Sequence, residues 1–351
     1  MDKAMKKRRS ANVLSALVHS APGRLAIGII APMGIFSILL LMEGLSPLEA
    51  YSTIFSSVFG SMYGFGEVVI RATYLILTAV ASVLPGRVGL ANAGGEGQMA
   101  IGAIATAIVA STTLGRLIAP LSVPMLLLTG MLCGAIWAGI GVFFRMKMGM
   151  NEILTTILMN YIATYFISML LFGPVRDPHG WNYPQTVEVR AHLRLPTFFG
   201  TRMNVGIFIS IAVALLCWLV IYKSKVGFTL RTIGGNQLAA HYAGIRVKRV
   251  QTAVFLIAGA IAGLAGAIMV LGAEGRMRLG AGETMGFMGF LAAGMVRNNP
   301  VMAIFSAFLI AGLNVAGNSM EINTGLPAAS IQILIMLVLL TIMVMGERRR
   351  K

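Results

Sequence analysis

"VGLANAGGEGQMAIGA", residues 88–103, sets five glycines with Asn92, Glu96 and Gln98 between two strongly apolar stretches. The chain has few polar residues to spare. Of its 351 residues, 57% are hydrophobic and 11% are charged, whereas about a quarter of an ordinary globular chain is charged. Such a chain cannot cover itself with polar surface in water, and lipid is the solvent that suits it. At membrane depth, unpaired backbone groups are tolerated only where protein buries them or a watery cavity meets them. A Gly-rich break carrying Asn and Glu is therefore either such a place or a tight loop between two spans. The stretch alone leaves both readings open.

Apolar windows separated by charged or Pro/Gly-rich breaks predict ten helical spans. They cover roughly 25–42, 68–85, 97–113, 121–143, 152–172, 204–222, 250–272, 284–296, 301–317 and 328–345. The eighth is too short to cross as a regular helix. Lys and Arg test the order, because they gather in cytoplasmic loops. With the N-terminus inside, inner segments hold 20 of the 28 basic residues, including Arg87, Arg145, Lys147 and the tail from Arg348 to Lys351. The segment from Leu41 to Glu67 has three glutamates and no basic residue, as an outer segment should. The fold expected is an all-α polytopic membrane protein with about ten transmembrane helices, some discontinuous. Residues 1–24 and 347–351 are cytoplasmic in this reading and 25–346 form the membrane domain. The KKRR run at residues 6–9 followed by an apolar stretch is read as an uncleaved first span, since no A-x-A-like site follows.

The net charge of +16 sits at helix ends, where it orients the chain and meets anionic lipid heads. Nucleic acid is not expected as a partner. Gly-Lys never occurs, so the usual phosphate-cradling loop is absent and any ATP must be handled by another subunit. His19, His179, His192 and His241 are scattered without metal-ligand spacing, and no nucleophile or acid/base set can be assembled. The chain is expected to be a transport subunit rather than an enzyme, with no cofactor and no metal. Cys133 and Cys217 lie in separate spans and read as small packing residues.

Three further stretches carry the pattern. In "NEILTTILMNYIA", residues 151–163, Asn151 and Glu152 read first as a helix cap and a first-turn carboxylate, while Thr156 and Asn160 run deeper at helical spacing and are candidates to line a pathway. "LGAEGRMRLGAGETMGFMGFLAAGMV", residues 271–296, again joins glycines with Glu274 and Glu283 ahead of a short span. Gly-interrupted segments in both halves of a transporter point to its substrate site. Asn92, Glu96, Gln98, Thr156, Asn160, Glu274 and Glu283 are therefore the expected pathway residues. Residues 223–249 form the longest inner connection. There Gly235 ends one element, Asn236 caps a short helix containing Ala239 and Ala240, and Gly244 ends it before Ile245. A capped helix in a basic loop reads as a docking element.

Ala239, Ala240 and Gly244 form A-A-x-x-x-G, which resembles the coupling-helix signature of ATP-binding cassette (ABC) importer permeases. "GLANAGGEGQMAIGA", "NEILTTILMNYIA", "GPVRDPHG", "VGFTLRTIGGNQLAAHYAGI" and "AGAIAGLAGAIMVLG", in order, resemble the ribose and branched-chain amino acid permease superfamily, in particular its nucleoside branch served by basic-membrane-lipoprotein-type binding proteins. The resemblance implies a permease subunit in a bacterial inner membrane, with ATPase subunits, a second permease and an extracellular binding lipoprotein as partners. It implies a nucleoside as the small-molecule substrate, moved by alternating access. It also implies that Gly235, Asn236, Ala239, Ala240, Gly244 and Ile245 couple to the ATPase, and that the outer segment 173–203 faces the binding protein. An ion-coupled secondary transporter and an ABC importer of a sugar are the competing readings. Arg71 and Glu96 are the only charges deep in the spans, which is few for proton or sodium coupling.

Overall fold

A computed structural model describes residues 21–112 and 119–347. Their regular structure is helical, without a strand beyond two isolated bridges, Gln185–Arg278 and Thr197–Asn204. In chain order the α-helices are α1 (Ala21–Met42), α2 (Pro47–Phe59), α3 (Met62–Gly86), α4 (Gly95–Ser111), α5 (Ala119–Met148), α6 (Glu152–Phe172), α7 (Gly206–Lys223), α8 (Lys225–Gly235), α9 (Gln237–Tyr242), α10 (Val247–Met269), α11 (Met285–Met295), α12 (Pro300–Thr324) and α13 (Ala328–Glu347). The chain is an all-α, multi-pass membrane protein.

All ten apolar windows fall on helices, and they differ in length. Among the described residues six helices are long and apolar enough to cross alone: α3, α5, α6, α7, α10 with the turn after it, and α12. α4 has 17 residues and α11 only 11, and each starts just after a break. The segment from Leu41 to Glu67, left between two spans by the sequence reading, holds a helix of its own. Ser46 precedes Pro47 at the first helical position and Glu49 lies in the first turn, so α2 starts on standard signals. It is bent from α1 by 117°. Expectations for residues 1–20 and 348–351 lie outside the described residues.

The chain divides into two compact units, residues up to Ser61 with those from Gly312 onward, and Met62–Ala311. In the first, α1 packs on α13, and Tyr51 on α2 donates to the carbonyl of Met33 at 2.6 Å. In the second, α10 is the centre and packs against α3, α4 and α5. Small residues make that closeness possible: a Cβ at Gly263 would lie 2.1 Å from the Gly130 carbonyl oxygen, and one at Gly266 would lie 2.0 Å from that of Met99. In lipid, where apolar burial between helices gains little, such close backbone packing holds helices together. The hydroxyls of Thr73, Thr78 and Ser82 donate back to carbonyls one turn earlier on α3, which satisfies them inside the span.

Candidate functional site

The stretch 88–103 is a true break. After α3 the chain turns at Gly89 (φ +74°) and restarts as α4 at Gly95. Asn92 fills the gap. Its Nδ2 donates to Gln98 Oε1 and its Oδ1 accepts from Gln98 Nε2, both at 3.0 Å, and Oδ1 also accepts the Gly94 amide at 3.1 Å. Both side chains are buried, and Ser82 on α3 donates to the Asn92 carbonyl at 3.1 Å. Asn160 on α6 spans the break: its Oδ1 accepts the Gly97 amide at 2.9 Å and its Nδ2 donates to the Ala93 carbonyl at 2.9 Å. Two buried amides and one half-buried amide thus do for this loop what a backbone ladder would do elsewhere.

The second break mirrors the first. α10 ends in one wider turn, Val270–Glu274, in which Gly272 leaves helical geometry, and residues 275–284 wind through positive φ at Gly275, Gly280, Gly282 and Thr284 before α11 begins. The two restarted helices touch. A Cβ on Gly286 would sit 2.0 Å from the Glu96 backbone nitrogen, so only glycine permits this approach. The Glu96 carboxyl group, in the first turn of α4, lies against the backbone of Thr284 and Phe287 at the start of α11. One carboxyl group therefore lies at the positive ends of two helices.

Beside this junction lies a cavity of 440 Å³, lined by Glu96 and Ala100 of α4, Thr164, Ile167 and Ser168 of α6, and residues 277 and 279–283 of the turn. Its polar lining consists of the Glu96 and Glu283 carboxylates, the Thr164 and Ser168 hydroxyls and turn backbone. Met277, Leu279 and Ile167 supply apolar surface. The Thr164 and Ser168 hydroxyls donate to the carbonyls of Asn160 and Thr164 on their own helix and keep lone pairs to accept with. The volume and the mix of apolar wall with a few polar groups fit a small organic molecule, for which clefts of about 300–1,000 Å³ are usual.

Of the residues expected on a pathway, the structure brings Glu96 and Glu283 into this cavity and leaves five outside it. Asn92 and Gln98 are engaged with each other, and Asn160 pins the loop. Thr156 is buried, with its hydroxyl on the Glu152 carbonyl at 2.7 Å. Glu274 belongs to an ion-pair chain: it meets Arg278 at 2.8 Å and Arg202 at 3.8 Å, while Arg202 meets Glu67 at 3.0 Å and Glu67 meets Arg71 at 3.6 Å. Partial burial lowers the pKa of Arg202, and the carboxylates of Glu67 and Glu274 outweigh it and hold the guanidinium above its ordinary value. Thr164 and Ser168 were missed by the sequence reading, because their facing wall comes from residues more than a hundred positions away. Asn151 is a cap, accepting from the amides of Ile153 at 2.9 Å and Leu154 at 3.2 Å, and Glu152 pairs with Arg145 at 3.2 Å.

The connection 223–249 folds as α8 and α9. Asn236 Oδ1 accepts the Ala239 amide at 3.0 Å to start α9, and Gly244 (φ +80°) ends it while the Ile245 amide closes on the Ala240 carbonyl at 3.0 Å. Ala240 is buried, whereas Leu238 and Tyr242 are 72% and 88% exposed. The inner side of this pair rests on the first break. A Cβ at Gly234 would lie 2.3 Å from the Arg87 carbonyl oxygen, and one at Gly89 would lie 2.9 Å from Gln237 Nε2. Gln251 on α10 donates to the Val88 carbonyl at 3.1 Å. Arg87 itself donates to Tyr222 Oη at 2.5 Å and to the Asn298 carbonyl at 2.7 Å. α8 and α9 therefore lie against Arg87 and Gly89, which lead through the short loop to the start of α4.

Residues 64–344 match the family described as branched-chain amino acid transport system / permease component. The glucose ABC transporter permease protein TsgB13 of Haloferax volcanii is 32% identical, covering 92% of this chain and 88% of its own length. The guanosine ABC transporter permease protein NupP of Bacillus subtilis is 31% identical, covering 93% and 96%. The nucleoside ABC transporter permease protein NupB of Lactococcus lactis is 28% identical, covering 85% and 84%. The family match runs from the start of α3 into α13 and takes in both breaks, the cavity and α9, so the chain belongs to this family of ABC transporter permeases.

Proposed function

We propose that this chain is the permease subunit through which an ABC importer moves a nucleoside across the bacterial inner membrane. The carrying observation is the junction of two restarted helices beside a 440 Å³ cavity with a polar and an apolar side. Its acceptors, Glu96, Glu283 and the two α6 hydroxyls, suit the hydroxyl and N–H donors of a neutral nucleoside, and Met277, Leu279 and Ile167 suit a flat base. The similarity to guanosine and nucleoside permeases supports the same substrate class. Separate ATPase subunits would engage the exposed face of α9, with Gly235, Asn236, Ala239, Ala240, Gly244 and Ile245 forming the element. An extracellular binding lipoprotein would meet segment 173–203, and a second permease would complete the complex. Both termini would be cytoplasmic. ATP binding would draw α9, shift Arg87–Gly89 and the start of α4, and open the cavity outward, and hydrolysis would reverse the motion.

Uptake of labelled guanosine into right-side-out vesicles carrying the complete transporter tests this. Uptake should require internal ATP and persist with an uncoupler. Uptake that ignores ATP and collapses with the uncoupler would make the chain an ion-coupled carrier. The glucose-permease relative favours a second reading, a sugar substrate. Excess glucose that abolishes guanosine uptake, with labelled glucose itself accumulated, would move the substrate to that class.

A further inference from the structure

The cavity wall at Met277 and Leu279 is not a free turn. It belongs to one edge of an irregular ladder, residues 271–279, whose other edge is the long connection between α6 and α7. The amide of Thr186 donates to the Met277 carbonyl at 2.9 Å, that of Leu279 to Pro184 at 3.4 Å, that of Val189 to Gly275 at 2.8 Å and that of Leu195 to Leu271 at 2.8 Å. The Met277 amide returns to Thr186 Oγ1 at 3.0 Å. Gln185 and Arg278 face each other as an antiparallel bridge. Thr186, Val189, Leu193, Leu195 and Met277 are buried, so parting the edges would orphan amides and carbonyls in a dry place. The ends are clasped by charge: Glu188 pairs with both Arg194 and Arg276, and Arg202 Nη2 donates to the Ala273 carbonyl at 2.9 Å. On the far side, the Asp177 amide donates to the Gln185 carbonyl at 2.8 Å and carries the ladder into the loop that exposes Trp181.

We propose that residues 184–195 and 271–279 move as one body, so that the long connection positions the movable wall of the cavity and Glu188 clasps the two edges. This rests on the reading of the cavity as the substrate passage. In a bridge pair flanked, not joined, by ladder hydrogen bonds, the Cα atoms approach to about 4.5 Å, within the range of about 4.4–6.8 Å that a disulfide spans. Gln185→Cys/Arg278→Cys, in a background with Cys133 and Cys217 replaced by Ala, should oxidise to a disulfide read as loss of maleimide labelling. The complete transporter should then take up guanosine at the rate of its reduced form. Loss of uptake on oxidation, regained with dithiothreitol, would show that the edges separate during transport and overturn the proposal, as would failure of the bond to form in the folded complex. Thr164→Cys/Leu279→Cys joined by a bis-methanethiosulfonate reagent bridges the cavity itself and should stop uptake until dithiothreitol cleaves the bridge. Undiminished uptake in that bridged protein would instead remove the cavity from the pathway.

Discussion

The side chains at the first break divide by whether their polar atoms are already engaged. Asn92 and Gln98 hold each other in a buried pair, so Asn92→Leu or Gln98→Met alone strands the partner amide at a cost of about 1–3 kcal/mol. Thermal unfolding in detergent should show each single variant destabilised, and the double variant should cost less than the two added together. It should not reach the parent, because the Gly94 amide also loses its acceptor. Glu96→Gln removes a carboxyl group that lies at two helix starts and lines the cavity, and should lower uptake more than it lowers the unfolding temperature. Gly286→Ala drives a methyl into the backbone of Glu96 and should abolish uptake. The sequence made the polar character of residues 92–98 plain. It could not say which amides face one another and which face a cavity, because the choice depends on where Asn160 and Ser82 come in from other helices. Glu274 shows the same limit in part: Arg278 lies only four positions away, whereas Arg202 reaches it only once the long connection has folded back along residues 271–279.

At the scale of elements, local chemistry is read well and shared walls are read poorly. The cap at Asn236, the stop at Gly244 and the cap at Asn151 each follow from residues within a few positions, and each stands in the structure as the sequence implies. α2 was missed because its 13 residues fall between windows sought at spanning length. The cavity was half missed because Thr164 and Ser168 are two among several polar residues on α6, and nothing local marks which of them face it. Leu238→Glu or Tyr242→Ala changes exposed side chains on α9, so membrane insertion and unfolding temperature should hold. ATP-driven uptake should fall by at least tenfold if these residues anchor an interface, where a hot-spot side chain is worth about 2 kcal/mol or more. Membrane yield, thermal unfolding and uptake, measured on the same preparations, check this. His241→Ala on the same exposed helix should leave all three near the parent values.

For the molecule as a whole, composition and window length already fixed an all-α membrane protein. The helices that do not cross alone are the informative ones. α4 and α11 are short because each begins at a break, and the two breaks are brought together by α10, whose glycines let α4 and α5 approach at backbone distance. That convergence of distant residues creates the cavity, and α9 rests on the loop that leads into it. Transport by this route therefore requires the cavity to be the passage for substrate. The most direct test is thiol labelling of Thr164→Cys in the assembled transporter, with Trp181→Cys as an exposed reference. Guanosine should slow modification at residue 164 without slowing it at residue 181, and completed modification at 164 should stop ATP-driven uptake. Labelling at 164 that proceeds at the same rate with and without guanosine, and leaves uptake intact, would contradict the account.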